Sequence, residues 1–197
     1  MPFRDPPAYA AWKHRDVREG FEVVFLHVDG AGLRLEGHTA AVEQGEAWAV
    51  GYVITLDGGW ATRAVRVWGR SSSGAHELSL EADGAGSWRV DGAAAPQLDG
   101  CLDVDLESSA LTNALPVHRL DLAVGEAADA PAAYVRAGDL GVERLEQRYV
   151  RLDDDGDHRR YHYAAPQFGF EAQLTYDASG LVLGYPGIAV RAEGGTG

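Results

Sequence analysis

The sequence contains a single cysteine and few basic residues, and these two shortages exclude several classes of protein. With Cys101 alone, no disulfide can form within the chain. Lysine and arginine total 17 against 30 aspartate and glutamate residues, so the formal net charge at pH 7 is −13. A phosphate backbone or an anionic lipid surface repels so acidic a chain. We therefore expect no binding to nucleic acid.

Long apolar runs are also absent. No segment approaches the roughly 18 consecutive apolar residues that a membrane-spanning helix needs. The opening MPFRDPPAYAAWKHRD has no apolar core of a secretory signal, and we expect a cytoplasmic location. The sequence contains neither G-x-x-x-x-G-K-[ST] nor G-x-G-x-x-G, and it lacks G-x-S-x-G. These absences predict a protein without a nucleotide cofactor or a serine nucleophile.

Glycine is plentiful, and it divides the chain into short apolar segments. The 25 glycines and 8 prolines separate stretches rich in Val, Leu, Tyr and Trp, a pattern typical of β-structure. A length of 197 residues with 46% hydrophobic residues suits one domain, which we assign to 1–197. Period-two alternation predicts strands at 21–28, 32–38, 47–56, 61–69, 76–82, 86–91, 101–106, 117–124, 132–136, 145–152, 159–164, 168–176 and 181–185.

The connections between these strands predict their direction. Turns such as DDDGD at 153–157 and DASG at 177–180 suit antiparallel hairpins, because glycine supplies the positive φ that such turns require. Two segments are candidates for helix, Tyr9–Glu19 and Glu107–Leu115. We favour the second, with Ser108 or Ser109 as N-cap and Pro116 as its end. The predicted fold class is all-β, mainly antiparallel, with one short helix.

The segment GCLDVDLESSALTNALPVHRLDL at 100–122 has the highest density of candidate functional residues. In a strand, Asp103 and Asp105 share one face and lie about 7 Å apart. Two carboxylates so placed can accept hydrogen bonds from sugar hydroxyls or act as an acid/base pair. Two other interpretations stay open, a solvent-facing surface and a salt bridge from Arg119 to either aspartate.

Other polar and aromatic residues allow two interpretations each. Asn113, the sole asparagine, could shape a turn through its own backbone or bind a ligand. His158 and His162 have a helical metal-binding spacing, but on a strand they lie about 13 Å apart, so we predict no metal site. The aromatic rings on the strands could pack a core or line a groove; they are Trp48, Tyr52, Trp60, Trp68, Trp88, Tyr149, Tyr161, Tyr163, Phe168 and Phe170.

Several motifs together resemble the glycolipid-binding family of bacterial proteins. They are WATRAVRV at 60–67, GCLDVDL at 100–106, TNALPVHRL at 112–120, QRY at 147–149 and FEAQLTYDASGLV at 170–182. The resemblance implies an extended curved sheet wrapped around a single helix, remotely similar to the periplasmic carriers of lipoproteins. It also implies a tight homodimer and an acidic pocket for a glycolipid or sugar.

The resemblance carries a set of ligand-binding residues onto this chain: Asp103, Asp105, Thr112, Asn113 and Arg119. The chain departs from the family pattern at His118, where a second basic residue is expected. It also has Ser109-Ala110 where a proline usually follows the acidic strand.

Three functions are compatible with these observations. The first is non-catalytic binding of a glycolipid or sugar-containing amphiphile in an acidic, aromatic-lined pocket, with a role in glycolipid metabolism and no cofactor. The second is a sugar-directed hydrolase or isomerase that uses Asp103 and Asp105. Its weakness is that glycosidases place their carboxylates on opposite sides of the bond. The third is a structural or regulatory dimer.

Overall fold

The chain folds mostly as β-strand, as the alternation between glycine-rich turns predicts. The computed structural model describes residues 3–30 and 32–192. The strands are β1 Tyr9–His14, β2 Glu19–Asp29, β3 Gly32–Glu43, β4 Glu46–Asp57, β5 Thr62–Ser71, β6 Gly74–Ala82, β7 Trp88–Val90, β8 Ala93–Ala94, β9 Asp103–Leu106, β10 Ala127–Asp129, β11 Ala132–Val135, β12 Val142–Leu145, β13 Arg148–Asp155, β14 His158–Ala165, β15 Phe170–Tyr176, β16 Val182–Tyr185 and β17 Ala189–Arg191. The α-helix α1 spans Ala114–Leu120. Three short 3₁₀ turns span Pro96–Leu98, Leu111–Asn113 and Pro166–Phe168.

Fourteen of the strands form one large antiparallel sheet, in the order β10-β13-β14-β15-β16-β17-β1-β2-β3-β4-β5-β6-β7-β8. The sheet is curved but does not close on itself, because β8 and β10 at its two ends do not pair. In its middle β1 pairs with β17, and Trp12 Nε1–H donates to the carbonyl of Val182 at 2.8 Å. The predicted mainly antiparallel class is confirmed.

Alternation in the sequence explains the long strands of this sheet. Along β3, buried and more exposed residues alternate over the whole strand, as expected where one sheet face is packed and the other faces solvent. The β3–β4 turn places Gln44 at φ 52° and Gly45 at φ 84°. Two consecutive positive φ values characterise the turn that matches the twist of a two-residue hairpin.

A second sheet of three strands lies in the order β12-β11-β9. Strands β11 and β12 are antiparallel, whereas β9 and β11 are parallel, with Asp105 opposite Tyr134. A parallel pair needs a long crossover, and the segment containing α1 supplies it here. The sequence-based expectation of hairpin connections alone is therefore wrong at this one pair.

The short helix exists, but later in the chain than predicted. Within the favoured segment Glu107–Leu115, residues 107–108 form a turn and Leu111–Asn113 is a 3₁₀ turn. Pro116 does not end the helix. It lies in the first turn of α1, where the missing N–H has no intrahelical partner to lose. The helix ends instead at Asp121, whose φ of 39° is left-handed.

Three other sequence predictions need correction. The strand predicted at 117–124 is wrong, because α1 occupies its first half. The candidate helix Tyr9–Glu19 is instead strand β1 followed by a turn. The single strand predicted at 145–152 is divided between β12, which ends at Leu145, and β13, which begins at Arg148.

The helix joins two buried clusters that lie on the concave side of the large sheet. The larger cluster packs side chains of β1–β6 against β9 and includes Ala114 and Leu115 of α1. The other is rich in tyrosine and includes Val117. Residues 114–117 are fully buried, so the sheet wraps around the helix as the family resemblance implies. No helix within the described ranges is long and apolar enough to cross a bilayer.

Candidate functional site

Strand β9 places Asp103 and Asp105 inside the molecule. Val104 and Leu106 pack into the larger core cluster, so the two aspartates point to the opposite side of the strand. Asp103 is fully buried, and only 8% of the surface of Asp105 is exposed to solvent. The interpretation of this face as a solvent-facing surface is therefore wrong.

Asp103 is bound by Arg119 of α1. Arg119 Nη2 lies 2.6 Å from one carboxylate oxygen, and its Nε–H donates to the other at 3.1 Å. Burial raises the pKa of Asp103, and the hydrogen bonds and charge of Arg119 oppose that rise. Of the alternatives open for Arg119, the salt bridge to Asp103 is the one present.

Asp105 is bound by neutral donors instead. It accepts hydrogen bonds from Thr112 Oγ1 at 2.8 Å and Gln147 Nε2 at 2.5 Å. Burial raises the pKa of Asp105 to about 6, and these two hydrogen bonds only partly offset the effect. The carboxyl group thus changes its charge in the physiological range.

Asn113 is fixed by two tyrosines of the large sheet. Its side-chain oxygen accepts from the hydroxyl of Tyr149 at 3.1 Å, and its carbonyl accepts from that of Tyr176 at 3.1 Å. Asn113 stands at the N-cap position of α1, but its side chain makes no capping hydrogen bond. The expected role in shaping its own turn is therefore replaced by tertiary contacts.

A buried carboxylate fixes the loop between β9 and α1. Glu22 on β2 is fully buried and accepts from Tyr52 Oη at 2.6 Å, Ser109 Oγ at 2.5 Å and the Ala110 N–H at 2.8 Å. Burial is the largest cause of its raised pKa. Ser109 and Ala110 stand where the family usually has a proline. The hydrogen bonds to Glu22 hold the loop here without that proline.

Asp105 and Asn113 line a cavity of about 270 Å³ between the small sheet and the concave face of the large one. Its polar wall also includes Arg18, Glu43, Glu107 and Ser109. The apolar wall consists of Val17, Leu106, Tyr134, Leu145, Tyr163, Ala165, Phe168, Phe170, Tyr185 and Ile188. Of the five sequence-predicted residues, Asp103, Thr112 and Arg119 do not line it, although Thr112 holds Asp105.

His118 does not supply the second basic group of this cavity. Its ring stacks on Trp60 with 3.5 Å between centroids and a 3° angle between planes, and Phe3 packs at 4.2 Å. Burial lowers the pKa of His118 to about 4. The side chain is therefore neutral at pH 7 and belongs to an aromatic stack.

Sequence reasoning missed Arg18, Glu43 and Glu107. Glu107 continues the period-two spacing of Asp103 and Asp105, and this signal could have found it. Arg18 and Glu43 lie near strand ends, far in sequence from residues 103–105. Only the folded sheet brings them to the cavity. Among the residues that the structure describes, no three His, Cys, Asp or Glu side chains are grouped so as to hold a metal ion.

An open antiparallel sheet wrapped around a short helix, with a small open cavity of mixed polarity, defines the class of this protein as mainly antiparallel β. The chain belongs to the family described as "Putative glycolipid-binding", whose model matches residues 9–191. No curated protein matches the chain.

Two solved structures are similar to this chain. One is the crystal structure of a DUF1089 family protein from Pseudomonas aeruginosa, 31% identical, with a TM-score of 0.74 over 96% of this chain and 95% of that one. The other is a β-barrel-like protein of the domain of unknown function DUF1849 from Brucella abortus. It is 10% identical with a TM-score of 0.53, covers 96% of this chain and 95% of that one, and shows likeness of fold alone.

Proposed function

We propose that the protein binds the headgroup of a glycolipid or other sugar-containing amphiphile in this cavity, without catalysis, and so serves glycolipid metabolism. The observation that carries the proposal is the division of the cavity into an aromatic wall and a carboxylate wall. Aromatic rings present flat apolar faces, which suit the C–H faces of a sugar ring. Carboxylates accept hydrogen bonds from hydroxyls.

The size and rim of the cavity agree with this ligand class. A volume of about 270 Å³ lies just below the roughly 300–1,000 Å³ typical of small-molecule sites. It therefore suits one headgroup rather than a whole lipid. At the rim, Phe168 is 54% and Val17 45% exposed. These side chains give an acyl chain an apolar path out of the cavity.

Binding is a better explanation of this geometry than sugar hydrolysis. A hydrolase that uses Asp103 and Asp105 needs two carboxylates flanking one glycosidic bond. Asp103 lies off the cavity wall and is bound by Arg119. The neighbouring carboxylates therefore do not face a common substrate.

We also propose that the chain forms a homodimer, as the family resemblance implies, and that it works in the cytoplasm. An apolar area on the convex face of the large sheet supports the dimer. There Tyr9 is 59%, Phe25 49% and Phe21 45% exposed, and Tyr9 and Phe25 are directly opposite in register. Exposed apolar patches on soluble proteins commonly mark interfaces.

Asp105→Asn tests the binding proposal. Calorimetric titration with n-octyl β-glucoside below its micelle concentration should show binding to wild type and about tenfold weaker binding to the variant, because a carboxylate hydrogen bond is lost. Asp157→Asn, at an exposed hairpin turn, is the matched control and should bind as wild type.

Two results would contradict the proposal. Folded wild type that binds neither octyl glucoside nor octyl maltoside would favour the structural or regulatory dimer. Equal affinity in wild type and Asp105→Asn would remove Asp105 and this cavity from the binding site.

A further inference from the structure

Arg18 lines the cavity, and its side chain has a buried hydrogen-bond donor without an acceptor. Its side chain is only 5% exposed, and its Nη1–H donates to the Glu107 carbonyl at 3.0 Å. The guanidinium also lies over Trp48, 5.3 Å from the ring centroid. Its Nε–H, however, has no hydrogen-bond partner. A buried donor left unpaired is costly, so this position favours a ligand that brings an acceptor.

The nearest charged group to this donor is the Glu43 carboxylate. Arg18 Nε lies 3.7 Å from Glu43 Oε2, which is too long for a direct hydrogen bond. An oxygen seated beside both atoms can lie within hydrogen-bond distance of each. Such an oxygen must accept from Nε–H and donate to the carboxylate.

A hydroxyl group meets both requirements, and so does the water molecule that such a hydroxyl would displace. A hydroxyl both donates and accepts, whereas an ammonium group only donates and an ionised carboxylate only accepts. The three carboxylates Glu43, Asp105 and Glu107 also outnumber Arg18, the one cation among the described residues that line the cavity. An anionic headgroup would therefore enter against repulsion.

We propose that the cavity takes an uncharged sugar ring, one hydroxyl of which bridges the Nε–H of Arg18 and the carboxylate of Glu43. The assignment rests on the proposed function and deepens it, because it names the class of headgroup and two further ligand-binding residues. The remaining hydroxyls lie toward Asp105 and the ring face toward the aromatic wall.

Headgroup charge provides the first test. Two octyl glycosides that share one chain are titrated into wild-type protein at pH 7: the glucoside and the glucuronide. We expect the neutral glucoside to bind at least tenfold more tightly than the anionic glucuronide.

Two variants test the bridge itself. Glu43→Gln keeps the shape and removes the charge, and Arg18→Lys keeps the charge and removes Nε–H at this position. Each should weaken glucoside binding about tenfold. The double variant should lose little more than either single one, because both residues bind the same hydroxyl.

The matched controls are Arg34→Lys and Glu36→Gln, which alter an exposed ion pair of 2.7 Å on β3 outside the cavity. They should leave affinity unchanged.

Monodeoxy octyl glucosides complete the series. One of them should bind wild type about tenfold more weakly than the parent glucoside, yet bind Glu43→Gln as the parent does.

The outcomes separate this proposal from the one on which it rests. If no glycoside binds folded wild type, both fail. If Asp105→Asn weakens glucoside binding but the glucuronide binds at least as tightly as the glucoside, headgroup binding stands and the uncharged-ring assignment is overturned. Wild-type affinity in Glu43→Gln also overturns it. Because Glu43 is partly exposed, this variant keeps the test decisive if Arg18→Lys fails to fold.

Discussion

Asp103 and Arg119 illustrate how a buried charge is tolerated beside the cavity. The Asp103 side chain is 1% exposed and that of Arg119 15%. Removing one member of a buried ion pair leaves the other charge without compensation, and the cost exceeds the net contribution of the intact pair. The pair therefore holds α1 against β9 mainly because breaking it would leave a buried charge unpaired. The net free energy that the intact pair contributes is smaller than that cost.

Replacing Arg119 should expose that penalty. We expect Arg119→Met to lower the free energy of unfolding by about 3–5 kcal/mol at pH 7, measured by urea denaturation. The loss should shrink toward pH 4, because a protonated Asp103 needs no cation. As a control, Arg148→Met breaks the exposed pair with Asp129 and should cost less than about 1 kcal/mol. Equal losses at pH 4 and pH 7 would contradict this explanation.

Asp105 predicts a pH dependence of stability. Because burial raises its pKa to about 6, the folded state keeps a proton between about pH 4 and 6 that the unfolded chain releases. The unfolding free energy contributed by this group is therefore highest at low pH and falls as pH rises through that window. Asp105→Asn cannot ionise, so its stability relative to wild type should improve by up to about 3 kcal/mol from pH 4 to pH 7.

Urea unfolding of both proteins at four pH values checks this difference. Comparing them directly cancels the contributions of other buried groups such as Glu22. Parallel stability curves would mean that the pKa of Asp105 is not raised in the folded protein.

At the scale of elements, Gly37 in β3 leaves room for Tyr52 in β4, which supports the loop between β9 and α1. Gly37 pairs with Tyr52 across β3 and β4, and a Cβ on Gly37 would overlap the Tyr52 ring. Tyr52 in turn donates to Glu22, which holds the loop at Ser109. The position of the β9–α1 loop beside the cavity thus depends on the absence of a side chain at Gly37.

Gly37→Ala should therefore destabilise the protein by about 1–3 kcal/mol, the usual cost of overpacking a core, and also weaken glycoside binding. Thermal unfolding and calorimetry measure the two effects. Gly184→Ala is the matched control, because a Cβ there meets nothing within 4 Å of it. Similar melting temperatures for the two variants would contradict the steric argument.

The elements also show what local sequence can and cannot predict. Long two-faced strands such as β3 and β4 were predictable, because alternation reports burial on one face. The segment 117–124 was not, since His118-Arg119-Leu120-Asp121-Leu122 alternates like a strand. Burial of Ala114, Leu115 and Val117 between the two core clusters makes it helical. Tertiary packing overrode the local pattern.

At the scale of the whole molecule, the site was only partly predictable. Asp105 and Asn113 reach the cavity from a segment that the sequence marks. Arg18 and Glu43 reach it only because β2 and β3 form a long hairpin in register from Glu19 opposite Val42 onward. Register over such distances is decided by the assembled sheet, and no local pattern around Arg18 or Glu43 predicts their meeting.

The edges of the large sheet are too short to serve as the dimer interface. An unpaired edge invites another chain, but the terminal strands β8 and β10 have only two and three residues. Edges so short are already protected against pairing. The convex apolar face is therefore the better candidate for the interface.

Light scattering at micromolar concentration should give twice the mass of the 21.1 kDa chain. Phe21→Glu combined with Phe25→Glu should yield folded monomer, because two charges would be buried at the interface. Val124→Glu, at an exposed loop position away from this face, should remain dimeric. A monomeric wild type would refute the dimer, and a dimeric double variant would move the interface elsewhere.

The pairing of β1 with β17 in the middle of the large sheet has a consequence for biosynthesis. The ribosome makes β1 early and β17 late, so we expect the strands on the two sides of this pairing to form separately and to join late. Pairings between residues so distant in sequence make folding slow. Until β17 emerges, β1 presents an open edge to neighbouring nascent chains. This pairing is thus the place where a chaperone would most effectively protect the growing polypeptide.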